Sequence, residues 1–388
     1  MIKGWAVFGN VEWHISDQLS LIAGARYSYD KAANTWDEVY AACGRRDVGD
    51  PLDTSTAADG NGPCELTPEQ QLLEDAGQLP VYDGQVTGGR YAQNTGRFAQ
   101  NSGHDFSPRV ALNFRPTDDA SLYAIVSKGY KPGGGQGNPD GGLGITSTFE
   151  REKMWNYEVG GNAYLADRNI LIQGAVFYMD WKDYQFLSRQ TLCVLKSDGS
   201  IVPVTSALDL STCSRQLQVD GTQNLPKARS KGAEFSFRAN VTPTTTLFGS
   251  LGYLDAKYVK GTGRVGGQDV DLSGIKIGNA PKWTLSAGAQ QDFDFLGGEA
   301  SLGATWTYRS KTSLGVTETA NLTFPSAVDS ISLLNLRLVQ KWGGNKITFN
   351  VDNVLGSEYY TATEGFSFVG PQLTYNPRTW SVKWTSEF

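Results

Sequence analysis

The chain has 388 residues, 39% of them hydrophobic and 11% aromatic, with 45 glycines, and its 34 basic against 40 acidic residues leave a formal charge of −6. That balance, without a basic run anywhere along the chain, excludes a nucleic-acid binder. A mean hydropathy of −0.34 and the lack of any apolar stretch near ~20 residues exclude a helical membrane span but not a membrane β-barrel, whose strands are only half apolar.

In chain order, residues 5–15 read as a strand and 16–18 as a tight turn. The returning strand puts Leu19, Leu21, Ala23, Ala25, Tyr27 and Tyr29 on one face. A polar excursion rich in Gly, Asp, Thr and Pro follows over 31–103, with a weak helical hint at 68–76. Residues 107–115 and 121–131 form the next hairpin, around 116–119, and a glycine-rich loop covers 132–148. Residues 155–165 turn at 166–169 into 170–186. Further on, Ala233, Phe235, Phe237, Ala239 and Val241 oppose Glu234, Ser236, Arg238 and Asn240, and the chain returns through Leu247, Gly249, Leu251 and Tyr253. Past a loop near 261–274, Trp283, Leu285, Ala287 and Ala289 turn near 295–298 into Ala300, Leu302, Ala304, Trp306 and Tyr308. Residues 331–342 turn at 343–345 into Ile347, Phe349 and Val351. In the closing strand, 379–388, Trp380, Val382, Trp384 and Phe388 lie opposite Ser381, Lys383 and Thr385.

Connections alternate strictly between tight turns and long loops, which a sandwich or propeller has no reason to do. An outer-membrane barrel sorts them this way, with short periplasmic turns and long extracellular loops. The fold expected is therefore all-β, an antiparallel transmembrane β-barrel of about thirteen strands. Strands one and thirteen both descend toward the short-turn side, so the count is odd. Closure requires an even number, and unpaired edges are costly in lipid. The expectation is that further strands precede Met1, making this the carboxy-terminal part of a larger barrel, incomplete as it stands. No signal peptide is visible at the start.

Four cysteines fall as Cys43 with Cys64 and Cys193 with Cys213. Three connectivities are open, and two local bridges are the simplest. With only His14 and His104 in the chain, a zinc site has few ligands to draw on. Disulfides imply an oxidising compartment.

Ser127, Gly129, Tyr130, Lys131, Pro132 and Gly133 stand in a stretch that resembles the S-x-G-Y-K-P-G-G segment of TonB-dependent receptors of the iron-complex type. Tyr157-Glu158-Val159-Gly160 resembles their Y-E-x-G strand, residues 350–355 their V-x-N-L-x-D segment, and Pro377-Arg378-Thr379-Trp380 their closing strand. The resemblance covers nearly all of residues 1–388 as one barrel domain. It implies a barrel of about 22 strands around an amino-terminal plug, with a TonB box; neither plug nor box is found in these residues. The resemblance thus implies an outer-membrane receptor of a Gram-negative bacterium for active uptake of a scarce large substrate, a ferric siderophore first, energised by the TonB complex only through the missing plug. The partners implied are outer-membrane lipid and lipopolysaccharide, the barrel-assembly machinery acting on the terminal strand, and the ligand. No cofactor is implied.

Candidate ligand contacts are the loop aromatics Trp36, Tyr40, Tyr82, Tyr91, Phe366, Phe368 and Tyr375, for which interfacial girdle positions are the plainer reading. Asp47, Asp50, Asp53 and Asp59 suit calcium or simply a solvated loop. No G-x-S-x-G elbow and no G-K-[ST] ending after the glycines at 133–137 support catalysis, and Asp118 with Asp119 sit in a turn. No enzyme is expected. The alternative from another class is a soluble all-β carbohydrate-binding protein, in which the aromatics would be buried between stacked layers.

Overall fold

The computed structural model describes residues 2–36, 97–138, 145–197, 201–203, 208–265, 268–313, 327–359, 361–362, 373–374 and 377–387. Thirteen strands follow one another through a single antiparallel ladder, each paired with its neighbours in sequence. They are β1 (Ile2–His14), β2 (Leu19–Trp36), β3 (Arg97–Thr117), β4 (Ala120–Lys131), β5 (Glu152–Leu165), β6 (Ile170–Leu195) and β7 (Cys213–Thr242), then β8 (Thr245–Lys260), β9 (Trp283–Phe295), β10 (Gly298–Arg309), β11 (Ile331–Trp342), β12 (Asn345–Asp352) and β13 (Thr379–Ser386). The ladder is open: β1 and β13 are not hydrogen-bonded to each other.

Six turns of two to four residues, at 15–18, 118–119, 166–169, 243–244, 296–297 and 343–344, lie at one rim, and every long connection lies at the other. Turn chemistry explains the tightness. Leu296 and Gly297 take φ values of 49° and 72°, the left-handed pair that matches the twist of the flanking strands in a two-residue hairpin.

One face of the sheet is apolar and the other mainly polar. Leu122, Gly161, Gly174, Phe235, Leu251, Leu285 and Tyr308 stand side by side on seven consecutive strands. On the other face Glu158, Gln173, Glu234 and Thr284 occupy the alternating positions. The apolar face is bare: Val11 is 70% exposed, Trp380 72% and Trp384 70%. A continuous exposed apolar surface of this size is not tolerated in water, and among the described residues no second layer covers it. Stacked layers, as in a carbohydrate-binding sandwich, are therefore not what the chain forms. Aromatic rings gather at both rims of this face, Trp5 with Tyr27, Tyr29 and His104 near the long loops and Phe293 with Phe295 near the short turns, as at the two interfaces of a membrane barrel.

On the polar face, aromatic rings fill the space that glycines leave. A Cβ on Gly288 would come within 2.4 Å of the Phe248 ring on the neighbouring β8, so the position admits nothing larger.

The ladder is taller than the alternation alone suggests. β6 runs to Leu195 rather than to 186, and β6 and β7 are 26 and 30 residues long, against the ~9–11 needed to cross a bilayer. Their outer halves read as loop from the sequence, yet they pair with each other up to Cys213 opposite Leu195. The 132–148 segment likewise holds a short hairpin, Gly134–Asn138 with Ile145–Phe149.

Candidate functional site

The site is the inner side of the long-loop rim, and it begins where β3 and β4 part. Their register ends at Arg109 opposite Ser127, while β4 stays paired with β5 up to Lys131 opposite Glu152. Side chains fill the gap. Lys128 Nζ donates to Asp105 Oδ1 at 2.9 Å and to the Phe106 carbonyl at 2.8 Å, and Ser107 Oγ donates to Asp105 Oδ2 at 2.8 Å. Asp105 is buried, so its charge requires these partners. Two residues on, the Tyr130 hydroxyl donates to the Asp30 carboxylate across β3. Burial, and then that hydrogen bond, raise the Tyr130 phenol above its ordinary pKa, which keeps it a donor.

The hairpin after β4 folds inward against β2, β3 and β7 rather than away from the rim. Gly133 makes the approach possible, since a Cβ there would lie 2.5 Å from the Phe149 carbonyl oxygen. Carboxamides from three strands hold the hairpin's base. Asn101 of β3 donates to the Phe149 carbonyl at 2.7 Å, and Gln185 of β6 donates to the carbonyls of Pro132 at 2.8 Å and Glu150 at 3.1 Å. Asn224 of β7 accepts from the Glu150 N–H at 2.7 Å and donates to the Glu150 carbonyl at 3.0 Å. Such bonds satisfy backbone groups that would otherwise be orphaned in a loop folded away from bulk solvent.

Arg151 is the centre of this arrangement. It is 7% exposed, donates through Nη2 to the Asp30 carbonyl at 3.1 Å, and lies 5.8 Å from the centre of the Tyr130 ring. Its guanidinium rests on Gly103, where a Cβ would fall 3.1 Å from Cζ. Nη1 is buried without an acceptor among the described residues.

Above β6–β8 a second inward hairpin, Thr262–Val265 with Gln268–Asp271, covers a small core of Phe186, Leu225, Ala228, Tyr258 and Leu272. Burial raises the phenols of Tyr184 and Tyr258. Cys193 and Cys213 are disulfide-bonded across β6 and β7, with 5.4 Å between Cα atoms and a sequence separation of 20. A loop of that size is worth about 3 kcal/mol in the chain-entropy model. Cys193→Ser is accordingly expected to make the 187–220 segment cleavable by limited proteolysis while leaving the membrane-crossing strands protected; equal resistance of variant and parent would count against this.

Nearer the short turns, the polar face forms a recess of about 650 Å³. Asp292, Asp294 and Glu299 line one side and Arg337, Lys341 and Lys346 the other, a surface suited to a polar body lying against it. No group of three or more His, Cys, Asp or Glu able to hold a metal ion occurs among the described residues.

Of the positions singled out from sequence, Ser127 to Gly133 lie at the head of the gap and at the hairpin's root. Trp380, Val382 and Trp384 lie on the bare apolar face of β13. Trp36 ends β2 opposite Arg97. Tyr40, Tyr82, Tyr91, Phe366, Phe368, Tyr375, Cys43, Cys64, the acids at 47–59 and Phe388 lie outside the described residues. Sequence reasoning missed Arg151 and the three carboxamides, because single polar residues in polar stretches carry no periodic signal. The one usable hint was the run of glycines at 133–135, which leaves room for a close backbone approach.

A family model described as TonB dependent receptor-like, beta-barrel, matches residues 2–354. The chain is 25% identical over 183 residues to the pesticin receptor of Yersinia pestis, covering 47% of this chain and 19% of that protein. It is 23% identical over 271 residues to the metal-pseudopaline receptor CntO of Pseudomonas aeruginosa, covering 68% and 31%. Among solved structures it resembles the ferric yersiniabactin uptake receptor FyuA from Yersinia pestis, with a TM-score of 0.66 at 16% identity over 100% of this chain and 46% of that one. The closed form of the ferric-catecholate import receptor Fiu from E. coli K12 matches with a TM-score of 0.62 at 16% identity, over 99% and 44%. The chain thus spans less than half the length of each of these four.

Proposed function

The chain belongs to the TonB-dependent receptor β-barrel family, whose members are transport receptors of the Gram-negative outer membrane rather than enzymes, and from that premise we propose that it serves in the uptake of a ferric siderophore or a metal chelate of similar size. The observation that carries this reading is the inward pairing of Gly134–Asn138 with Ile145–Phe149, clamped over the polar face at the outer rim. A wall built for free diffusion gains nothing from ordered backbone folded across its mouth, whereas a receptor for a scarce ligand needs a shaped vestibule there. Relatives named for ferric yersiniabactin, ferric-catecholate and metal-pseudopaline support the choice of cargo class. The two-signed recess near the short turns would face the plug of the parent protein, and contact with the TonB complex would pass through that plug.

The test is uptake of radiolabelled iron, presented as a panel of purified ferric siderophores, by cells that lack their own siderophore receptors and express the full-length parent. Accumulation of one ferric chelate that vanishes when TonB is absent is the expected result. Uptake indifferent to TonB, or no accumulation from any chelate including catecholate and mixed-ligand types, would defeat the reading.

A further inference from the structure

The inner wall of β4–β8, just below the two inward hairpins, carries a strip that the uptake reading does not use. Gly129, Met154, Trp181, Ala228 and Tyr258 stand side by side on five consecutive strands, on the face opposite Trp155 and Tyr157. One row nearer the membrane come Ser127, Asn156, Met179, Ser230 and Ala256. Neither row holds a charged residue, on a face that is mainly polar. Of the chain's three methionines, Met154 and Met179 both lie here, as diagonal neighbours on β5 and β6. Trp181 is fixed from behind: it packs against the small core under the second hairpin and meets Tyr184 edge-on, with 6.2 Å between ring centres.

Charges near the strip already have partners. Lys128 is held by Asp105, and Glu158, one row further in, accepts from the Tyr123 hydroxyl at 2.7 Å. Arg109, opposite Ser127 on β3, is an exposed cation at the strip's margin. The strip itself offers apolar, polarisable contact.

Its floor has an open seat. Elsewhere on this face rings fill the space over glycines: a Cβ on Gly160 would lie 2.7 Å from Tyr123 Cζ, and one on Gly232 2.6 Å from Phe177 Cζ. Gly129 departs from that pattern. Among the described residues only Met154 comes within 4 Å of a Cβ built there, its Cε at 3.9 Å. β3 has already parted from β4 at this height, since their register ends at Arg109 opposite Ser127. A glycine floor lets a flat group approach the backbone closely, and a thioether beside it makes a favourable contact with the edge of an aromatic ring.

We propose that this seat takes an aromatic ring of the cargo, which makes the substrate class an aryl-bearing ferric chelate rather than one built only from aliphatic hydroxamates or carboxylates. The ring lies on Gly129 against Met154, with Met179 and Trp181 behind. The assignment rests on the uptake reading and narrows it.

The test compares two ferric probes, a hexadentate trihydroxamate capped with phenyl groups and its methyl-capped counterpart, which share charge and donor atoms and differ only in the rings. Binding of the radiolabelled complexes is measured on cells that lack TonB and their own siderophore receptors and express the full-length parent, so that affinity is read without transport. The phenyl-capped complex is expected to bind about tenfold more tightly. Gly129→Leu, which fills the seat, should abolish that difference and leave the methyl-capped complex within about twofold of its parent affinity; Met154→Ala should reduce the difference. Heat-modifiable gel migration reports that each variant is folded. Equal affinity of the parent for the two probes, a phenyl preference that survives in folded Gly129→Leu, or TonB-dependent uptake of a ring-free chelate in preference to aryl-bearing ones would each overturn the proposal while leaving the uptake reading in place. Failure to accumulate any chelate in TonB-containing cells would remove the uptake reading itself, and this proposal with it. The two-probe comparison on the parent needs no variant and decides the matter even if a substitution prevents folding.

Discussion

Arg151→Ala is expected to release the paired segments Gly134–Asn138 and Ile145–Phe149 from the barrel wall, raising amide hydrogen exchange across 132–138 and 145–151 by about one to two orders of magnitude while exchange in β5 and β6 below the rim stays as it was. The reasoning runs from the guanidinium outward. Arg151 is buried, bonds the Asp30 carbonyl and stacks near the Tyr130 ring, and a hydrogen bond from a charged donor contributes about 1.5–3 kcal/mol. Local opening costs less by that amount once the donor is gone, and exchange tracks the opening free energy. Arg151→Lys keeps the charge but loses the planar fork that reaches Asp30 and lies over the ring together, so it should fall between parent and alanine variant. Asn224→Ala should open the same segment from its other side, because that one carboxamide serves both the N–H and the carbonyl of Glu150. Exchange in 132–138 and 145–151 that is no faster in the alanine variants would show that the hairpin is held by something other than these side chains.

The ladder was legible from the amino acids because a two-residue period leaves its mark locally: Ala233, Phe235 and Phe237 announce a one-sided strand without reference to any other part of the chain. The count of thirteen followed from repeating that reading, and the sorting of turns from loops told which rim was which. The clamp was not legible, for a geometric reason. Asn101, Gln185 and Asn224 meet the hairpin at separations of 48, 35 and 74 residues, and they converge only because β3, β6 and β7 face a common interior. The outer halves of β6 and β7 read as loop because their apolar residues, such as Leu187 and Leu217, are scattered among polar ones and Gly221 and Pro226 interrupt β7, a pattern that pairing satisfies and periodicity does not reveal.

Val382→Arg and Ser381→Arg, adjacent substitutions in β13, are expected to differ in cost by about 2–4 kcal/mol, with the damage confined to position 382. Val382 is 59% exposed between Trp380 and Trp384 on the apolar face and stands opposite Phe349. A guanidinium there enters hydrocarbon, at about 2–4 kcal/mol near mid-depth in a barrel strand, which is about a 30- to 900-fold change in the folded-to-unfolded ratio. Ser381 points the other way, accepting from Asn350 Nδ2 at 3.2 Å on the polar face, where an arginine keeps its water and loses one exposed hydrogen bond. Urea titration of the chain folded into phospholipid vesicles, with heat-modifiable migration as the folded signal, measures both. Phe349→Arg on β12 should repeat the penalty of Val382→Arg, since the two residues share a face and a depth. In a detergent-free soluble fold the ranking has no reason to hold, because a bare valine at a water-exposed position tolerates arginine. Equal costs at 381 and 382, or the larger cost at 381, would therefore remove the physical basis for placing the apolar side of all thirteen strands against lipid.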